Sequence, residues 1–260
     1  MTELSSNNKI AIVTGASRLN GIGAAICKEL ACKGVDVFFT YWSAYDMEMP
    51  WGMNTDEPAI LQEMIQKYGV RCEKLEIDLS DSNSPVNLMN SVEERLGKPS
   101  ILINNATYSI DVSYEDLSAE ILTKHYQINI QGTMLLSAEF ARRFDRSRGG
   151  RIINLTSGQS LGPMAGNIAY ASTKGAVDAF TLTLSAEVAS KGITVNAVNP
   201  GPTDTGWMND EIKAHILTKS PKGRVGLPQD AAKLISFLAS EEAEWVTGQI
   251  IHSEGGFQRG

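Results

Sequence analysis

An α/β fold, with a parallel sheet covered by helices on both faces, is what this 260-residue sequence predicts. Short apolar runs alternate with helical patterns along the whole chain, as repeated βαβ units do. A glycine-rich turn, in KIAIVTGASRLNGIGAAICKELACKG, joins the first run to the first helical pattern. No repeat, low-complexity tract or linker interrupts the alternation, so residues 1–260 read as a single domain.

The elements follow in order. The apolar run from Ile10 to Val13 is a buried strand bounded by Gly15. Ile22, Ile26 and Leu30 recur every four positions, as a helix facing a sheet requires, and Gly34 closes that helix. Further strands are expected near 35–41, 72–77, 100–104, 151–156, 193–198 and 249–252. Helices are expected near 57–68, 84–96, 114–145, 169–190 and 229–239. Two segments read as irregular, 42–58 and 201–228, and loops of such length are usually functional. The first holds Trp42, Tyr45 and Trp51 without a lysine or arginine.

A strand, a glycine-rich turn and a helix N-terminus make a site for a dinucleotide pyrophosphate. Glycines let the backbone approach the phosphates, and the helix end contributes positive potential. Together with the alternation, this makes the fold a doubly wound, Rossmann-type sheet. The stretch LTSGQSLGPMAGNIAYASTKGAV carries the chemistry. Tyr170 and Lys174 stand four apart, one turn along a helix face. An ammonium there is expected to draw the phenol from about 10 toward neutrality, fit to exchange a proton with a substrate oxygen. Ser157, thirteen positions upstream, is a natural partner for the same oxygen.

Composition narrows the alternatives. A formal net charge of −7 argues against wholesale nucleic-acid binding. No apolar run has the length of a membrane span, and the N-terminal MTELSSNNK lacks an apolar signal core. Cys27, Cys32 and Cys72 have no CxxC spacing and read as reduced thiols of a cytoplasmic protein. His125, His215 and His252 form no ligand spacing, so no metal is expected.

TGASRLNGIG, IDLSD, INNAT, QINIQGT, INLTSG, YASTK, VNPGPTDT, GRVGLPQD and SEGG stand in one order along the chain. In these motifs and their spacing the sequence resembles the short-chain dehydrogenase/reductase family, most of all its 3-oxoacyl-(acyl-carrier-protein) reductase branch. The resemblance implies a catalytic set of Ser157, Tyr170 and Lys174, with Asn129 organising a proton relay behind Lys174. Asparagine is also a poor mid-helix residue, a cost consistent with either that role or a satisfied packing role. Cofactor contacts are implied at Gly15, Ser17, Arg18, Gly21, Ile22, Gly23, Asp78, Leu79, Asn105, Ala106, Tyr170, Lys174, Pro200, Gly201 and Thr203. Asn104 is placed on the cofactor side. Asp78 reads equally as a helix N-cap acid. A substrate-covering loop with a short helix near 209–218 is implied within 201–228.

The second strand is followed by no acid until Asp46, and Arg18 is the residue usually associated with a 2′-phosphate. Together these favour NADPH over NADH, although Arg18 also reads as a solvated loop cation. The implied activity is reduction of a 3-oxoacyl thioester, as in fatty acid biosynthesis. The other readings are an NADP(H)-dependent alcohol, steroid or sugar dehydrogenase, an enoyl-(acyl-carrier-protein) reductase and a non-catalytic NADP(H) sensor. The substrate is a small molecule or an acyl group on a carrier protein. Arg142, Arg143, Arg146, Arg148 and Arg151 could receive an acidic carrier or simply answer a helix dipole. Surplus apolar residues, Leu135, Leu136 and Phe140, then Val177, Phe180 and Leu184, suggest helix partners and a homotetramer.

The chain departs from the branch at two points. Thr107 stands where the pattern has a glycine, and a β-branched residue resists positive φ. Gly15, Gly21 and Gly23 are spaced as Gly-x5-Gly-x-Gly, two residues longer than usual. That longer turn resembles the enoyl-(acyl-carrier-protein) reductases. Those enzymes, however, use Tyr-x6-Lys, and the residue seven before Lys174 is Asn167.

Overall fold

The computed structural model of the protein describes residues 9–49, 52 and 54–259. Seven strands form one sheet: β1 (Ile10–Val13), β2 (Asp36–Tyr41), β3 (Cys72–Glu76), β4 (Ile101–Asn104), β5 (Gly150–Leu155), β6 (Ile193–Asn199) and β7 (Ile250–His252). Their order is β3-β2-β1-β4-β5-β6-β7, and every neighbouring pair is parallel. The helices are α1 (Ile22–Ala31), α2 (Ser43–Glu48), α3 (Glu57–Gln66), α4 (Ser84–Arg95), α5 (Ala119–His125), α6 (Thr133–Arg143), α7 (Ile168–Val188), α8 (Asp210–Thr218) and α9 (Pro228–Leu238).

Strand β1 shows why the chain wraps both ways. Ala11 and Val13 enter a core built with α1, α3 and α9. Ile10 and Ile12 enter a second core with α4, α6 and α7. A strand buried on both faces must read as an unbroken apolar run, which is what betrayed it in the sequence. The strand order reverses between β1 and β4, and ligands of open α/β sheets bind outside the carboxyl ends at such a point.

Three local expectations need correction. The irregular 42–58 segment contains α2 and the start of α3, while Trp51 lies outside the described residues. The helix expected from 114 begins at Ala119, where the Ser118 hydroxyl caps it by accepting from Ile121 N at 3.3 Å. A π-helical turn, Tyr126–Gly132, then joins α5 to α6. The five arginines do not form one patch. Arg151 is buried in β5 and bonded to Ser240 and Gly150 carbonyls, and Arg142 and Arg143 are paired with Glu139. Among the described residues no helix is long and apolar enough to cross a membrane.

Candidate active site

The carboxyl ends of β1, β4, β5 and β6 open into a cavity of 1360 Å³. Its walls hold Gly15 and Ser17 after β1, Asn105 and Ala106 after β4, Ser157 after β5, and Pro200, Gly201 and Thr203 after β6. Residues far apart in sequence meet here because parallel strands all deliver their following loops to one edge.

The glycine turn has the shape a dinucleotide needs. Gly15 has φ +71°, and a Cβ there would lie 2.6 Å from Ala106 Cα. A Cβ on Gly23 would lie 2.7 Å from the Gly15 carbonyl oxygen and 2.8 Å from Asn105 Nδ2. Gly21 caps α1 without a side-chain bond, so the helix opens on its backbone N–H groups. These close approaches leave a side-chain-free backbone turn at the start of α1, which fits the pyrophosphate of a nicotinamide dinucleotide. Within the longer turn Leu19 packs against the core, and its N donates to Glu57 Oε2 at 2.5 Å. Thr14, which sequence reasoning passed over, anchors the other side: its Oγ1 accepts from Asn105 N and Ala106 N, both at 3.0 Å.

Asn104 is a correction. It is buried away from the cavity, and its Nδ2 donates to Ser137 Oγ at 2.9 Å and Asn154 Oδ1 at 2.8 Å. It ties β4 to β5 and α6, whereas Asn105 does line the cavity. Thr107 is not strained: no described non-glycine residue has positive φ, and its hydroxyl donates to Asn129 Oδ1 at 3.1 Å. Asn129 Oδ1 also accepts from Tyr108 N at 2.7 Å, while Nδ2 donates to Tyr108 O at 2.8 Å and Thr173 Oγ1 at 3.0 Å. All four hydrogen-bond positions of the amide are used, so the side chain pins the β4 loop between two helices. Each of these buried groups left unpaired would cost about 1–3 kcal/mol, which explains a poor helix former on the π turn. Asp78 lines the cavity beside Leu79 and accepts from Ser80 N at 2.8 Å; it is not at the N-cap of α4, a position Asn83 holds without a side-chain capping bond.

Ser157 and Tyr170 share the cavity wall, whereas Lys174 and Asn129 are buried behind it. Lys174 Nζ lies 5.5 Å from the Tyr170 ring centroid and donates to the Leu155 carbonyl at 2.8 Å. The expected pull of Tyr170 toward neutrality is not what the geometry produces. Burial raises the phenol pKa, and the opposing hydrogen bond from Ser157 does not overcome it. Burial likewise lowers the Lys174 ammonium to about 8, against a weaker upward pull from Asp178. The phenol is therefore protonated at neutral pH and can donate a proton, while an ammonium at about 8 still carries most of its charge there. Asp178, one turn beyond Lys174, accepts from Thr156 Oγ1 at 2.5 Å and from the Gln159 amide. Its i+4 spacing from Lys174 was a signal the sequence held.

Arg18 reaches across the cavity. Its Nη1 donates to the Thr205 carbonyl at 2.9 Å, and its Nε stands 3.5 Å from the buried Asp46 carboxylate on α2. It is therefore a braced cation rather than a solvated one. Tyr41, Trp42, Tyr45 and Met49 line the same end. The expected short helix of the 201–228 loop is α8, whose Ile212 and Ile216 line the other end with Trp207. Phe257 and Arg259 of the C-terminal tail join them, which nothing in the sequence pattern indicated.

A family model described as Enoyl-(Acyl carrier protein) reductase matches residues 15–258. The chain is 53% identical over 257 residues to "Uncharacterized oxidoreductase YjdA" of Bacillus subtilis, covering 98% of this chain and 99% of that protein. It is 32% identical to the 3-oxoacyl-[acyl-carrier-protein] reductase FabG of Aquifex aeolicus, over 98% and 99%. A crystal structure of a blue fluorescent protein from a metagenomic library, in complex with NADPH, superposes with TM-score 0.87 at 28% identity, covering 97% and 99%.

Proposed function

The chain belongs to the short-chain dehydrogenase/reductase family, and from that membership we propose that it is an NADPH-dependent reductase of 3-oxoacyl thioesters. It is an oxidoreductase acting on CH–OH and C=O groups with a nicotinamide cofactor. The observation that carries the finer reading is the pair of Ser157 and Tyr170 on one cavity wall with Lys174 behind them. Asn167, at the N-cap of α7, offers no phenol for the Tyr-x6-Lys arrangement, which favours carbonyl over enoyl reduction.

In the proposed reaction the Ser157 hydroxyl holds the carbonyl oxygen. Tyr170 donates its phenolic proton to that oxygen as charge develops there. Lys174 supplies positive charge beneath the phenol and would hold the nicotinamide ribose, while Asn129 fixes the helix turn behind it. The bound nicotinamide supplies the hydride. Gly15, Ser17, Gly21, Ile22 and Gly23 would hold the pyrophosphate, Asp78 and Leu79 the adenine side, and Asn105, Ala106, Pro200, Gly201 and Thr203 the nicotinamide side. A panel of acetoacetyl thioesters, enoyl thioesters and simple ketones, followed by loss of NADPH absorbance, tests the reading. Turnover confined to enoyl thioesters or to simple ketones would sink it.

For the cofactor, Arg18 is the residue poised for a 2′-phosphate, but it must give up the Asp46 carboxylate to bind one. A preference for NADPH over NADH is expected in kcat/KM. Asp46→Asn should widen it and Arg18→Ala should abolish it. An NADH preference in the wild type would mean that Asp46 and Thr205 hold Arg18 away from the ribose. For assembly, Leu136, Phe140, Val177 and Leu184 are buried within the subunit and Phe180 packs against its core, so these are not surplus; Leu135 on α6 and Leu182 on α7 remain exposed, which supports a homotetramer with dihedral symmetry. Light scattering at micromolar protein should return four times the 28.2 kDa chain mass; a monomer mass removes the proposal.

A further inference from the structure

Inside the turn after β5, which carries Ser157, Gln159 Nε2 donates to Thr156 Oγ1 at 3.3 Å and Ser157 Oγ to Met164 Sδ at 3.9 Å. A backbone bond runs from Leu161 N to Gly158 O, at 3.0 Å. The turn is also held from outside, on two sides. Beneath it, Asp178 takes the Thr156 hydroxyl and the Gln159 amide. On the other side lies Arg259, whose guanidinium sits directly against Gly158: a Cβ there would stand 2.5 Å from Cζ and 2.8 Å from Nε. The stem of the same side chain runs past Gly162, where a Cβ would lie 3.4 Å from Cδ.

Arg259 is itself fixed. Its guanidinium makes a two-pronged ion pair with Glu254, with Nη1 donating to Oε2 at 2.6 Å, and stands 5.3 Å from the Phe257 ring centroid. Glu254 Oε1 also accepts from Asn199 Nδ2 at 2.7 Å, and Asn199 Oδ1 accepts from Gly201 N at 2.9 Å. Gln258 N donates to the Lys219 carbonyl at 2.9 Å, tying the tail to the end of α8. Thus one short C-terminal segment spans from the Ser157 turn to Pro200–Gly201 and to the 201–228 loop. An ion pair this enclosed contributes little net stability, because desolvation offsets attraction; its effect is to impose one geometry. Burial pushes the Glu254 carboxyl up, but its bonds to Arg259 and Asn199 bring it below the usual range, so the pair is charged at neutral pH.

We infer that Arg259 is a positioning residue for Ser157, acting through Gly158, and that Glu254 links this position to the Pro200–Gly201 segment. The inference rests on the carbonyl-holding role of Ser157 proposed above. Small displacements of a substrate-holding group cost rate steeply. The substrate is whichever acetoacetyl thioester or ketone of the panel is turned over fastest. Arg259→Ala should lower kcat about tenfold, with Tm and the NADPH dissociation constant near wild type. Gly158→Ala leaves both members of the ion pair in place but drives the guanidinium off the turn, so it should give a similar loss. The decisive measurement is the double variant. If both substitutions act through one contact, Gly158→Ala adds nothing once Arg259 is Ala. Additive losses, a loss that tracks a fall in Tm, or kcat of Arg259→Ala within twofold of wild type would overturn the inference. Ser157→Ala is measured alongside. If it abolishes turnover while Arg259→Ala stays within twofold of wild type, the inference alone fails; if Ser157→Ala stays active, the underlying reading fails with it.

Discussion

Replacing Tyr170 by Phe should lower kcat for carbonyl reduction by at least about 10²-fold, the usual scale for removing a general acid. The ring remains, so packing and cofactor binding stay close to wild type. The direction of the pH dependence follows from burial. The phenol pKa is raised, so at neutral pH Tyr170 is protonated, as a donor to a carbonyl oxygen must be. Reduction should therefore hold across neutral pH and decline in alkali, while alcohol oxidation, which needs the phenolate, should rise with pH. Near-normal reduction by the Phe variant, with kcat and KM measured under saturating NADPH, would remove Tyr170 from its role.

Lys174→Met should cost about 10²-fold or more in kcat/KM, because it removes the charge beneath the phenol and the proposed ribose contact. It carries a second, independent readout. Burial lowers Lys174 from 10.5 to about 8, so between those values the unfolded chain binds a proton that the folded chain does not. Stability then rises with pH across that window. Relative to Lys174→Met, the wild type should gain stability from about pH 8 to 10.5, with a constant difference below pH 8. Urea unfolding at pH 7, 8, 9 and 10 measures it. A difference that stays flat over the whole range would mean that Lys174 titrates normally.

The two variants also separate the ways in which this site was legible. Tyr170, Lys174 and Ser157 could be read because helical spacing of four and the position after a strand are local facts. That burial would dominate the protonation of both groups could not be read, since desolvation depends on everything packed around a group. Asn129 shows the same division. Its awkwardness in a helix was visible in the sequence, but the reason is a set of partners at Thr107, Tyr108 and Thr173. Thr107 looked like a misfit only because its hydrogen bond to Asn129 lay out of sight. Asn104 and Asn105 are adjacent in sequence yet point to opposite faces of the strand end, so one ties strands together and the other lines the cavity.

By itself the sequence determined the doubly wound sheet and the glycine cradle, because apolar periodicity and glycine placement act over a few residues. It also pointed to the family, and it put forward Ser157, Tyr170 and Lys174 as the proposed catalytic trio. The tertiary structure alone decided what meets what across the cavity. It braced Arg18 between Asp46 and Thr205, split the arginine cluster between the Glu139 carboxylate and the Ser240 and Gly150 carbonyls, and turned the segment after β2 into helix α2. It also laid Arg259 against Gly158, 101 positions away, through the pairing of Glu254 with Asn199. Such contacts arise from loops that parallel strands deliver to one edge of a sheet, and no local pattern encodes which loops will touch there.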